Sequence, residues 1–168
     1  AFVGSVAGLA GCFVIGFGAT ASPRARRSCV LRKSIAAMRS ALLGARLLVA
    51  RVFLLSGLTK WNGLSVSEDA YYLFAEEFFA AYNLPAAVTN TLAVITAVAE
   101  IVLPLLLILG LFARVGALGL LIMTAVIQLL VYPDAWWNVH AWWAAVLLVV
   151  LSLGPGAWSL DRLFKLER

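Results

Sequence analysis

Two charges sit deep in long apolar stretches: Arg51 within residues 41–59 and Glu100 within residues 90–110. Each lies ten residues from one end of its stretch, or roughly 15 Å at about 1.5 Å of helix rise per residue. Opposite charges at equal depth predict a buried ion pair, Arg51 with Glu100, because either charge alone in an apolar medium is strongly disfavoured. Such a pair either fixes the register of two helices or handles protons or substrate. Pro104 lies four residues after Glu100 and has no N–H, so the Glu100 carbonyl loses its helical partner and becomes a free acceptor. Arg46, nearer the start of the first stretch, is expected to extend to the headgroups.

A second set lies toward the opposite ends of these stretches: Lys60, Gln128, Tyr132, Asp134 and His140. Their expected depths match, so they are candidates to line one outer-facing polar cavity. Trp136, Trp137, Trp142 and Trp143 crowd the same region. They read either as a belt at headgroup depth or as a stacking wall for a quinone ring. Metal chemistry has no support: one His and two distant cysteines, Cys12 and Cys29, lack the spacing of a zinc, haem or iron–sulfur site. The cysteines read as free thiols.

The elements that must position these residues follow from composition. The 168 residues are 64% hydrophobic and only 12% charged, with a mean hydropathy of +1.00. A soluble domain is roughly 45–50% apolar and about 25% charged. The balance excludes a soluble enzyme, a nucleic-acid binder and a disordered regulator. Four spans are predicted, near 41–59, 90–110, 115–132 and 139–153. Each suits a membrane helix in composition, the last two being short. The fold class is therefore all-α integral membrane, a bundle of four transmembrane helices.

The connections set the orientation. Residues 24–39 hold six Lys or Arg and no acid, whereas 61–90 hold four acids and no Lys or Arg. The turn at 111–115 carries Arg114, the loop at 133–138 carries Asp134, and the tail ends in Arg162, Lys165 and Arg168. Basic connections stay inside, which places the C-terminus in the cytoplasm. Segment 67–82 reads as a short interfacial outer helix, with Ser67 as its cap and Tyr71, Phe74, Phe78 and Tyr82 on one face; the alternative is a lid over a site at the outer mouth. Gly154-Pro155-Gly156 should break the fourth span, and Ser159 should then cap a short amphipathic helix on the inner surface. Residues 1–38 read as an apolar and basic extension, either an extra span or a segment ahead of a natural start at Met38. Residues 39–168 form the membrane domain.

With these pieces in place, the chain resembles the DoxX family of small four-helix membrane proteins. The likeness is carried by Arg51-Val-Phe-Leu-Leu-Ser-Gly57-Leu-Thr-Lys60, Asn83-Leu-Pro85, Glu100 followed by Leu106-Leu-Ile-Leu-Gly110-Leu-Phe-Ala-Arg114, Val131-Tyr-Pro-Asp-Ala-Trp136 and Gly154-Pro-Gly-Ala-Trp-Ser159-Leu-Asp161. The resemblance implies a bundle in the bacterial inner membrane. Some relatives serve as the membrane subunit of a thiosulfate:quinone oxidoreductase; others are linked to thiol and oxidative-stress partners or to enzymes that modify small metal-binding peptides. Residues 39–168 contain no cysteine and no haem or flavin motif, so any electrons must be carried by a quinone or by a redox protein partner. Three readings follow. The first is a quinone-linked oxidoreductase subunit. The second is a non-enzymatic anchor or assembly partner for a redox or peptide-modifying complex. The third, the weakest, is a solute or proton pathway, which four short helices could enclose only as a homo-oligomer.

Overall fold

The computed structural model describes residues 23–156 and 159–163, with side chains between 27 and 161. The chain divides into two compact units, residues 1–41 and 42–168, and all the candidate site residues fall in the second. Helix α1 runs Pro23–Leu58 and is closed by the Lys60 N–H donating to the Gly57 carbonyl at 3.0 Å. A two-stranded hairpin follows, with β1 at Trp61–Asn62 antiparallel to β2 at Ser65–Val66. Helix α2, Glu68–Tyr72, is capped by Ser67 Oγ accepting from the Ala70 N–H at 3.2 Å. It widens into a π turn, Leu73–Phe78, then narrows to a 3-10 turn, Ala80–Tyr82. Helix α3 is Ala86–Leu109. Helix α4 is Ala113–Val126 and continues as a second π turn, Ile127–Val131. A 3-10 turn at Pro133–Ala135 and a third π turn at Trp136–His140 lead into α5, Ala141–Leu153. The four-residue α6, Leu160–Leu163, comes last among the described residues.

Among the described residues, four helical segments are long and apolar enough to cross a membrane: Arg27–Leu58, Ala86–Leu109, Ala113–Val131 and Pro133–Leu153. The expected all-α bundle is therefore present. Helix α4 packs between α3 and α5. Its core brings Val49, Ala50 and Phe53 of α1 against Leu107, Leu120, Leu147 and Val150. Large apolar side chains such as Leu48, Ile95 and Leu129 remain exposed, as a lipid-facing surface requires. The fourth span breaks where the sequence indicates, with Gly154 at φ 82.

The end of the bundle that holds Gly110 is closed by a polar cluster. Gly110 ends α3 in the left-handed region, φ 64, and a Cβ there would lie 2.6 Å from Arg46 Nη1 and 2.7 Å from Ser159 Cβ. Arg46 Nη1 donates to the Pro155 carbonyl at 2.7 Å. Asp161 receives the N–H groups of Phe112 and Ala113 at 2.6 and 3.0 Å, so its carboxylate satisfies the first turn of α4. The Asp161 charge also acts on Arg46.

Three expectations are corrected here. Arg46 does not extend to the headgroups: it is 1% exposed, held beneath the segment after α5. Arg51 is exposed instead. The two differ by five residues, about 140° around a helix, so they face opposite ways. Cys29 is disulfide-bonded, not a free thiol, and Cys12 lies outside the described residues. Of the expected tail helix, Trp158 and Phe164 also lie outside them; Asp161 faces the bundle, 1% exposed.

Candidate functional site

Glu100 is buried in α3, and its partner is Lys60. Lys60 Nζ lies 2.5 Å from Glu100 Oε2, with 10% and 5% of the two side chains exposed. The expected Arg51–Glu100 pair is therefore replaced. Gly57 gives the reason. It packs directly on Glu100: an added Cβ would meet the Glu100 Cβ and carbonyl oxygen at 2.9 Å. That contact sets the register of α1 against α3. Arg51 is six residues from Gly57, about 9 Å along the helix axis. Lys60, just past the helix end, folds back over the contact. The carbonyl that Pro104 deprives of a helical donor is the one Gly57 covers.

Lys60 is fixed from several sides. Its ammonium also donates to Ser56 Oγ at 3.1 Å and to the Ser56 carbonyl at 3.3 Å. Its carbonyl accepts from the Ser67 N–H at 2.9 Å, tying α1 to the base of the hairpin. Trp61 Nε1 donates to the Ala97 carbonyl at 3.4 Å, one turn before Glu100. An ammonium and a carboxylate with these extra hydrogen bonds meet the condition for a tolerable buried pair.

The pair borders a cavity of about 370 Å³, within the usual range of small-molecule sites. Lys60, Glu100 and Ser56 form one polar part and His140 another, while Phe53, Phe74, Phe78, Phe79 and Trp143 supply aromatic wall. Phe53 and Trp143 meet edge to face with centroids 5.1 Å apart, and Phe78 meets Tyr132 at 5.8 Å. The three π turns all border this space: Phe74 and Phe78 come from the first, Ile127 and Val131 from the second, Val139 and His140 from the third. A π turn carries an extra residue and swings the next side chains around the axis. Here it turns them inward.

Of the five residues expected around an outer polar cavity, Lys60, Tyr132 and His140 line this one. Gln128 joins through its hydrogen bond to His140, Oε1 to Nδ1 at 2.6 Å. Asp134 is exposed in the loop and borders a neighbouring hollow instead. Of the four tryptophans, Trp143 alone is on the wall. Trp136, Trp137 and Trp142 are 39%, 79% and 69% exposed, which suits a belt and not a stacking wall.

The aromatic face of segment 67–82 turns inward. Phe74 is buried and packs with Phe79 on Ala93 of α3, and Phe78 lines the cavity. The lid alternative describes these residues better than a face lying in lipid, although Tyr72 and Tyr82 remain exposed. Phe53, Phe79, Ser56, Thr96 and Met123 are lining residues that the sequence reading missed. Among the described residues no group of three or more His, Cys, Asp or Glu could hold a metal.

Gly57→Ala should show how tightly the site is built. Its methyl meets backbone and Cβ, not a flexible side-chain end, so α1 and α3 must separate. A loss of about 1–3 kcal/mol is expected, read as a lower unfolding midpoint in detergent.

The sequence profile of the DoxX family matches residues 41–133. A Haemophilus influenzae protein described as uncharacterized is 31% identical over 134 residues, covering 73% of this chain and 85% of its own length. No solved structure matches the chain.

Proposed function

The chain belongs to the DoxX family, and on that premise we propose that its cavity binds the ring of a lipid-soluble quinone, as the membrane subunit of a quinone-linked oxidoreduction. The observation that carries this reading is the make-up of the cavity: aromatic walls with two separate polar parts, the Lys60–Glu100 pair and His140. A flat apolar ring with polar atoms at both ends fits such walls. The quinone would supply two-electron chemistry that no side chain lining the cavity provides. Phe74, Phe78 and Trp143 hold the ring and exclude water. Lys60 donates to an oxygen at one end, and His140 accepts from a hydroxyl at the other when the ring is reduced. A redox protein partner would exchange electrons with the ring.

The test is purification in mild detergent, extraction of bound lipid, and titration with a decyl-substituted benzoquinone in its oxidised and its reduced form. A quinone should co-purify. Added ring should quench tryptophan emission, and Trp143→Phe should remove most of that response. Absence of both would sink the reading. A non-enzymatic anchor is the second reading, favoured by the four exposed acids Glu68, Asp69, Glu76 and Glu77 on one outer connection. One stoichiometric partner co-purifying without any ring would support it.

The orientation belongs to the same proposal: a multi-pass protein of the bacterial inner membrane, with 61–90 outside and the C-terminus in the cytoplasm. In a Cys12→Ser, Cys29→Ser background, Glu68→Cys should react with an impermeant maleimide on intact spheroplasts. Lys33→Cys and Arg168→Cys should react only after lysis. Labelling of Glu68→Cys and Arg168→Cys from the same side would contradict the four-span topology.

A further inference from the structure

His140 is the single histidine of the chain, and its hydrogen bonds define its tautomer. Gln128 sits in the second π turn, and its Nε2 donates to the Pro133 carbonyl at 2.5 Å. A carbonyl oxygen only accepts, so the amide nitrogen must be the atom facing Pro133. The Gln128 Oε1 is then the atom 2.6 Å from His140 Nδ1. That oxygen also only accepts, so Nδ1 carries the hydrogen. In a neutral imidazole the other nitrogen, Nε2, is then bare. The ring is 3% exposed and stacks at a tilt against Trp143, with centroids 5.2 Å apart. With Nδ1 engaged, Nε2 is the nitrogen left for whatever occupies the cavity.

We propose that Gln128 holds His140 as the Nδ1–H tautomer, and that the bare Nε2 makes the cavity select a ring offering a hydroxyl there, a hydroquinone or phenol, over one offering only carbonyl or ether oxygens. This rests on the reading that the cavity takes a lipid-soluble ring. The selection follows from desolvation. A carbonyl placed against Nε2 would set two lone pairs face to face where bulk water cannot intervene, leaving both acceptors unsatisfied. A hydroxyl satisfies Nε2 as its donor. Gln128 touches no ligand in this scheme. It is a positioning residue, acting through His140.

One histidine makes the test direct. Protein labelled with 15N-histidine, in detergent at a pH where the ring is neutral, should show one imidazole with Nδ1 protonated and Nε2 bare. Gln128→Leu should lose that state. Under argon, a decyl-substituted benzohydroquinone should bind about tenfold more tightly than its dimethyl ether, and should move the Nε2 resonance. An Nε2–H tautomer in the unaltered protein overturns the proposal even if rings bind. Equal binding of the hydroquinone and its ether overturns the selection. If the Nδ1–H tautomer is present but neither ring binds, the cavity reading itself has failed, and the selection falls with it. Should Gln128→Leu fail to fold, the tautomer of the unaltered protein and the pair of rings still decide.

Discussion

Lys60→Met and Glu100→Gln should each lower the unfolding midpoint sharply, while Arg51→Leu leaves it unchanged or raises it. The buried pair is Lys60–Glu100, with 10% and 5% of the side chains exposed. Removing one member leaves the other charge in an apolar interior, typically a loss of about 3–5 kcal/mol. Arg51 is exposed on a face of α1 shared with Leu48 and Leu55, and a charge there gains nothing from the core. The double change Lys60→Met, Glu100→Leu should recover much of the stability, because an apolar replacement removes both desolvation penalties at once. Its ability to bind a ring then separates two roles. A double variant that folds and still responds to decyl-benzoquinone has lost only a structural pair. One that folds and no longer responds has lost a ligand contact. The midpoint is read by size-exclusion recovery after heating in detergent. A destabilised Arg51→Leu alongside a tolerant Lys60→Met would mean that the pairing is wrong.

The sequence made the spans legible because their signal is long and redundant. Some twenty apolar residues per span survive errors at either end. The partner of Glu100 was not legible, although both correct residues were already candidates. Depth counted from the ends of apolar stretches pairs Glu100 with Arg51, whereas the register is set where Gly57 meets the backbone of Glu100. A glycine contact carries no hydropathy signal. The same holds for Arg46 and Arg51. Both lie in one apolar stretch, and only packing shows that one faces the core and the other faces out. The link between Gln128 and His140 was within reach, since both lie near a span end at similar depth. The cavity as a whole was not. Three π turns border it, and each shifts the helical phase that an amphipathic reading assumes constant. Phe74 and Phe78 share a face in either geometry, but only the structure turns that face inward.

Asp161→Ala should also destabilise the protein, although it lies at the other end of the bundle and far from any ligand. Two local costs meet at Asp161. Phe112 adopts φ 47, a left-handed conformation that disfavours a residue with a side chain by roughly 1–2 kcal/mol. It does so while its N–H and that of Ala113 point at the Asp161 carboxylate. Losing such a cap costs about 0.5–2 kcal/mol. Arg46, 1% exposed, would also lose a nearby opposite charge, which adds to the loss. Asp161→Asn should fall between, since it keeps an acceptor but not the charge. Phe112→Gly separates the contributions, because glycine adopts positive φ without penalty. In the Asp161→Ala background it should recover part of the lost midpoint, and in the unaltered protein it should change little or raise it. Asp161→Ala should leave the hydroquinone preference and the His140 tautomer intact in whatever fraction remains folded, since α6 does not border the cavity. Full stability of Asp161→Ala, or no gain from Phe112→Gly in its background, would show that the turn between α3 and α4 does not depend on this carboxylate. The left-handed Phe112 would then have to be held by the packing of α3 on α4 alone.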